Sequence, residues 1–237
     1  MAIRWLSQNN NVDFPDLALA TDHGLLAAGG DLSVNRLISA YKAGIFPWFN
    51  AHDPILWWSP DPRMVLFTDA LRISKNLNKK LRQAPFKVTF DKAFADVIKA
   101  CAAPRQQQEQ HDTWIHPDMI RAYDNLHAAG YAHSVECWLN DELVGGLYGV
   151  AIGNMFFGES MFSFVTDSSK IALTALVQQL TRWGWPMIDC QVHSDHLARL
   201  GAVCVPRTLF VQQIQSLCQS ASPSQKWQLD ADLPHAI

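Results

Sequence analysis

The chain has 237 residues, 49% hydrophobic and 17% charged, with a formal charge of −3. That length suits one large domain or two small ones with a substantial core, and the composition excludes wholesale disorder. The acidic balance argues against general coating of nucleic acid, and no segment reaches the roughly 20 apolar residues that span a bilayer.

The N-terminal "MAIRWLSQNNNVDFPDL" has no apolar run of signal-peptide length, so a cytoplasmic protein is expected. Ser33 can cap a helix carrying Leu37, Ile38 and Tyr41, with Gly44 as its stop. "GIFPWFNAHDPILWWSPDPR" (44–63) follows, rich in proline and tryptophan and without helical or strand periodicity. "RMVLF" then reads as a strand, and the Pro60 and Pro62 punctuation places a domain boundary near Arg63, giving domains 1–63 and 64–237. From Ala70 to Phe90 there are six basic residues and no acid, which leaves −9 for the rest of the chain. Lys75, Lys79 and Arg82 share one face of a predicted helix there, and Leu77 and Leu81 another. A basic patch on an acidic protein suits a specific polyanion contact.

Asp91 is placed to start a helix with Phe94, Val97, Ile98 and Cys101 inward. "PRQQQEQHD" (104–112) reads as a polar loop. Pro117 suits the first turn of a helix with Met119, Ile120, Tyr123 and Leu126 inward, stopped by Gly130. "AHSVECWL" and "ELVGGLYGVAI" flank an Asn-Asp turn, and "IGNM" turns into the strand "MFFGES". Ser168 or Ser169 can cap a helix striped by Leu173, Leu176, Val177 and Leu180, followed by the strand "PMIDCQV", a short helix ending at Gly201 and a last strand near "AVCVPR". The sum is a mixed α/β fold with an antiparallel meander.

Two strands carry the candidate chemistry. On "IDCQV", alternation puts Ile188, Cys190 and Val192 on one face and Asp189 with Gln191 on the other, as a half-exposed edge or a polar cleft floor. On "MFFGESMF", alternation groups Met155, Phe157, Glu159 and Met161, with Gly158 permitting close approach of a ligand or backbone. Gly158-Glu159-Ser160 begins like a nucleophile elbow, but Phe162 stands where the second glycine belongs. His193 and His196 near Asp189 are splayed by the following helix and lack a third ligand, so no metal is expected. "AAGGD" (27–31) lacks the phosphate-cradle spacing. Five scattered cysteines, odd in number and without a C-x-x-C pair, read as reduced and mostly buried thiols.

Taken in order, "GLLAAGGDLS", "YKAGIFPWF", "DPILWWSPDPR", "TWI", "ELVGGLYGV", "FGESMFS", "SSKIAL", "IDCQV" and "LGA" resemble the leucyl/phenylalanyl-tRNA–protein transferase family, over roughly residues 20–210. The resemblance implies a small N-terminal α/β domain and a larger C-terminal acetyltransferase-like (GNAT) domain with a mixed, largely antiparallel sheet. It implies transfer of Leu, Phe and, less, Met from aminoacyl-tRNA to the α-amine of proteins beginning with Arg or Lys, marking them for N-end-rule degradation. An aminoacyl ester is already activated, so no cofactor is expected; the protein has to hold both substrates, free the amine of a proton and stabilise an oxyanion. A monomer is expected.

The same resemblance supplies residue roles. Trp48 and Trp114 flank the 3′-terminal adenosine, with Tyr41 and Tyr123 nearby, while Trp57 and Trp58 pack the two domains together. Leu147, Phe156, Met161, Leu173, Leu176 and Ile188 line the amino-acid pocket, where burying a Leu or Phe side chain is worth about 1.5–3 kcal/mol. Leu147 stands where some relatives have Met. Asp189 and Gln191 match the catalytic pair. A neutral amide holds a proton weakly, so Asp189 is expected to orient and assist while Gln191 hydrogen-bonds the amine or the carbonyl oxygen. Glu159 is expected to contact an ammonium group, of either the esterified amino acid or the incoming protein. Lys75, Lys79, Lys80 and Arg82 would meet the tRNA acceptor stem. A CoA-dependent N-acetyltransferase is the rival by fold, but "SFVTDSSK" lacks the glycines of a pyrophosphate loop. A binding-only RNA module would leave Asp189, Gln191 and Glu159 without a purpose.

Overall fold

A computed structural model describes residues 3–8, 13–83, 86–103, 113–220 and 226–233, so the Gln-rich segment 104–112 lies outside the described residues. Two sheets organise it. The first has four strands in the order β1-β2-β4-β3: β1 (Arg4–Leu6), β2 (Leu25–Gly29), β3 (Phe46–Pro47) and β4 (Leu56–Trp58). The Pro/aromatic stretch, which has no strand pattern, thus supplies two short strands paired to each other, Phe46 with Trp58 and Pro47 with Trp57. Backbone pairing over two or three residues needs no alternation, and the buried Trp57 indole anchors it by donating to the Gly29 carbonyl (2.9 Å).

The second sheet has seven strands: β5 (Arg63–Phe67), β6 (Lys87–Phe90), β7 (Ala132–Leu139), β8 (Glu142–Ile152), β9 (Met155–Ser163), β10 (Met187–Gln191) and β11 (Val203–Val205). Their order is β11-β5-β10-β9-β8-β7-β6, antiparallel throughout except for the parallel pair β10–β9. Asn140 and Asp141, both at positive φ, make the predicted β7–β8 turn.

The seven-stranded sheet is covered on both faces. One face carries α5 (Ser168–Arg182), with Leu173, Leu176 and Leu180 against Leu147, Phe156 and Ile188. α2 (Lys75–Gln83) adds Leu77 to that layer. The other face carries α1 (Val34–Lys42), α3 (Phe94–Ala102), α4 (Pro117–Ala128) and α7 (Arg207–Leu217), whose apolar stripes share one core with Trp57 and Leu26 of the small sheet. α6 (Asp195–Arg199) links β10 to β11.

Three local expectations are corrected. Asp91 does not begin α3; it sits at φ 53°, and the helix is capped at Ala93, whose side chain offers no bond. The buried Glu136 of β7 reaches across instead and accepts from the Lys92 and Ala93 backbone N–H groups (both 3.3 Å). Neither serine caps α5: the cap is Asp167 in left-handed backbone (φ 73°), while the Ser168 hydroxyl donates to the Val144 and Val165 carbonyls. Finally, β9 does not alternate strictly, because a bulge lies where Tyr148 pairs with Ser160 but Gly149 pairs with Gly158. Glu159 is the extra residue, so Met161 packs on the α5 face rather than beside Met155 and Phe157.

Candidate active site

β9 and β10 run side by side only through Ile188↔Phe156 and Asp189↔Phe157. Beyond that point β9 continues, paired to β8 alone, while β10 is bulged against β5 between Asp189 and Gln191. The sheet is parted there, and the side chains on the two sides of the gap are Glu159 and Gln191.

Asp189 anchors the β10 side. It is 0% exposed, and so is Arg63, the first residue of β5. The guanidinium grips the carboxylate with two bonds, Nε to Oδ1 (2.8 Å) and Nη2 to Oδ2 (2.6 Å). Its remaining nitrogen donates to the Gly44 carbonyl (3.1 Å), and its Cζ lies 4.7 Å from the Phe46 and Phe210 ring centres. Asp189 Oδ1 also accepts from the Gln191 backbone N–H (2.9 Å), which holds Gln191 at φ 63°. Few non-glycine residues occupy that region, and here a fully paired carboxylate imposes it. The Asp189 carboxylate therefore acts on the gap through Gln191 and through its field.

Turned this way, the Gln191 amide donates from Nε2 to Glu159 Oε1 (2.9 Å). Tyr41 Oη, from α1, lies 2.8 Å from the same Oε1, and Tyr123 Oη, from α4, lies 2.7 Å from Oε2. The two phenol oxygens are themselves 2.7 Å apart. Both tyrosines are fully buried, whereas Glu159 is half-buried. Burial pushes the Glu159 carboxyl up to about 7, the Asp189 charge adds to the rise, and its three hydrogen-bond partners hold it back. Burial and the nearby Glu159 charge raise the Tyr41 and Tyr123 hydroxyls well above the ordinary phenol range.

The other predicted positions fall into separate groups. Leu147, Phe156, Leu173, Leu176 and Ile188 form one apolar cluster on the α5 face, with Met161 packed against it. They lie across the sheet from Tyr41 and Tyr123. Trp48 is 43% exposed, its ring 5.6 Å from Trp58, whose indole donates to the Trp48 carbonyl. Trp114 is half-buried against the core shared with α4. Lys75, Lys79 and Arg82 are exposed on α2, whereas Lys80 turns away to pair with Asp167 (2.6 Å). Tyr41 and Tyr123 are bound to Glu159 by their hydroxyls, not open to solvent.

Arg63 is the site residue that sequence reasoning missed. Its signal was there: an arginine opening an apolar strand between two others needs a buried acid, and Asp189 on the neighbouring strand supplies one. The described residues hold no group of three or more His, Cys, Asp or Glu side chains arranged to bind a metal ion.

A family model for leucyl/phenylalanyl-tRNA protein transferase matches residues 65–215, and the model of its N-terminal domain matches residues 30–61. A leucyl/phenylalanyl-tRNA–protein transferase from Nitrosospira multiformis is 55% identical over 96% of this chain and 97% of its own. One from Pseudomonas syringae pv. syringae is 56% identical over 90% of this chain and 92% of its own. A solved structure described as a functionally unknown conserved protein from Staphylococcus epidermidis has a TM-score of 0.39 and 12% identity, covering 77% of this chain and 68% of that one, too loose a likeness to bear on the fold. The parted sheet, with its carboxylate–amide pair, thus belongs to a chain that is an aminoacyltransferase of the leucyl/phenylalanyl-tRNA–protein transferase family.

Proposed function

We propose that this chain transfers Leu or Phe, and Met less well, from aminoacyl-tRNA to the α-amine of proteins that begin with Arg or Lys, in the cytoplasm and as a step of N-end-rule degradation. The observation that carries the reading is the gap between β9 and β10. There a half-buried carboxylate–amide pair faces one side of the sheet, and an apolar cluster under α5 packs on the other. The amino-acid side chain would lodge in that apolar cluster under α5, with its ester carbonyl in the gap beside Gln191 and Glu159. Peptide-bond formation there needs alignment, a place for the oxyanion and a route for one proton. The Gln191 amide offers the oxyanion an N–H. Glu159 is the titratable group in reach of the amine. Asp189, held by Arg63, positions Gln191.

Exposed Trp48, with Trp114, stacks the terminal adenosine, and Lys75, Lys79 and Arg82 track the acceptor stem. The division near Arg63 separates a tRNA-end-binding domain, residues 1–63, from an acetyltransferase-like domain, residues 64–237. The N-terminus of α5 argues against a CoA donor. The Ser169 N–H is taken by the Ser163 hydroxyl and the Ser168 N–H by the Val165 carbonyl, and the Asp167 carboxylate stands where a pyrophosphate would need bare donors.

The test is transfer of labelled Leu or Phe from tRNA to a peptide beginning with Arg, with acetyl-CoA as control donor. Label in the peptide from Leu-tRNA and none from acetyl-CoA is expected; acetylation of the peptide would overturn the reading.

A further inference from the structure

Glu159, Tyr41 and Tyr123 close a ring of three oxygen–oxygen contacts, at 2.8, 2.7 and 2.7 Å. Each contact is at hydrogen-bond length and so needs one proton between its oxygens. Two phenols supply two protons. With an ionised carboxylate both phenols would point at Glu159, and the Tyr41–Tyr123 contact would press lone pair against lone pair at 2.7 Å. A third proton, on Glu159, fills the ring.

The pattern of partners says which oxygen carries it. Oε1 lies within reach of two donors, the Tyr41 hydroxyl and the Gln191 amide, as a carbonyl oxygen should. Oε2 has only Tyr123. The ring then runs one way round, from Oε2–H to the Tyr123 oxygen, from the Tyr123 hydroxyl to Tyr41, and from the Tyr41 hydroxyl back to Oε1. We infer that Glu159 is a neutral acid in the resting enzyme, held by the Tyr41–Tyr123 ring, and is the proton carrier of the transfer reaction. The inference deepens the proposed function and rests on it for the identity of the substrates.

The surroundings support a neutral carboxyl. Besides the two phenols, Glu159 faces Tyr148 from β8, and Gln191 and Asp189 from β10; the cation nearby, Arg63 of β5, is already paired with Asp189. Burial and the Asp189 charge both favour the protonated form.

The chemistry balances with this one proton. The amine enters uncharged; its nitrogen forms its bond to the ester carbon and loses one proton. The bond from that carbon to the ribose oxygen breaks, its electron pair goes to that oxygen, and the Glu159 proton follows it. The resulting carboxylate, now held by both phenols, takes the proton that nitrogen gives up, and the ring is refilled. Glu159 is the member of the ring with exposed surface, so exchange with substrate passes through it.

Infrared difference spectroscopy of the full chain without substrate, from about pH 5 to about pH 9, reads the proton directly. A carboxylic-acid carbonyl band that titrates near neutrality and is missing in Glu159→Gln is expected. Absence of such a band at every pH would overturn the inference. Should Glu159→Gln fail to fold, Tyr123→Phe assigns the band by shifting its frequency, since it removes the acceptor of the acid proton. Glu159→Gln can fill all three contacts with its amide but cannot pass a proton, so it should keep tRNA binding while transfer falls by about 10²–10⁴-fold. Near-normal transfer by that variant would make the ring structural only and overturn the inference. If the band titrates as expected but wild-type chain moves no label from Leu-tRNA, the failure is of the substrate assignment and not of the ring.

Discussion

Arg63 and Asp189 are both fully buried, and each is the other's charge partner. Removing one strands the other without solvent, so Arg63→Met alone should lower the unfolding free energy by about 3–5 kcal/mol. Replacing both, as Arg63→Met with Asp189→Leu, removes the two charges together and should restore most of that loss in urea unfolding. Transfer should stay abolished, because the Gln191 N–H then has no acceptor and nothing holds its φ at 63°. A double variant that transfers at the wild-type rate would show that the pair serves the fold alone. Glu159 gives a second residue-scale prediction. Its folded carboxyl is raised to about 7 from an ordinary 4.5, so the native state holds the proton more tightly than the unfolded chain. The stabilisation is complete below about pH 4.5 and is lost as pH rises through about 7, a change of the order of 3 kcal/mol. Relative to Glu159→Gln, wild-type stability should fall across that window; a constant difference between the two would remove the linkage.

At the scale of elements, three expectations rest on near neighbours alone, and the structure matches them. The Ser33 cap and Gly44 stop of α1, the Pro117 start of α4 and the Asn140-Asp141 turn all depend on neighbours within one turn of chain. What failed depends on distant partners. The β9 bulge exists because Gly149 must lie flat against β9, where an added Cβ would sit 2.3 Å from the Phe157 carbonyl, and no alternation in "MFFGESMF" records that. Glu136 caps α3 from another strand, and Asp91 binds His133, the Ser134 N–H and the Trp227 N–H rather than its own helix. Within the site, alternation was enough to pair Asp189 with Gln191, but the Glu159–Gln191 contact needed the bulge and the left-handed turn together. The last described segment, residues 226–233, was equally illegible, since its anchors are all long-range. Trp227, 2% exposed, stacks on His133 (4.0 Å) and touches Phe156, Trp183 and Trp185. Asp230 accepts from the Gln179 amide, tying the segment to α5. Trp227→Ala should cost about 3–5 kcal/mol in urea unfolding, by emptying the space behind Phe156. An unchanged midpoint would mean that the segment only lies on the surface.

For the whole molecule the decisive asymmetry is electrostatic. Six positive charges lie between Ala70 and Phe90 on a chain whose total is −3. A basic cluster on an acidic chain orients encounter with a polyanion as well as strengthening it. Three of the six, Lys75, Lys79 and Arg82, are exposed on α2, while Lys80 is committed to Asp167 at the start of α5. The two groups should therefore respond differently to mutation. If the exposed three each neutralise one tRNA phosphate, changing all of them to alanine should flatten the plot of log affinity against log salt by about 2–3 in slope, at about 0.7–0.9 per contact. Tightness for a peptide beginning with Arg should not change, since the peptide carries no phosphate. Lys80→Ala should leave the salt slope almost intact, because its ammonium is held by Asp167 in the free protein. A triple variant with the wild-type slope would take α2 out of the tRNA interface, and a Lys80→Ala variant that alone lost a unit of slope would place that lysine, freed from Asp167, on the RNA instead.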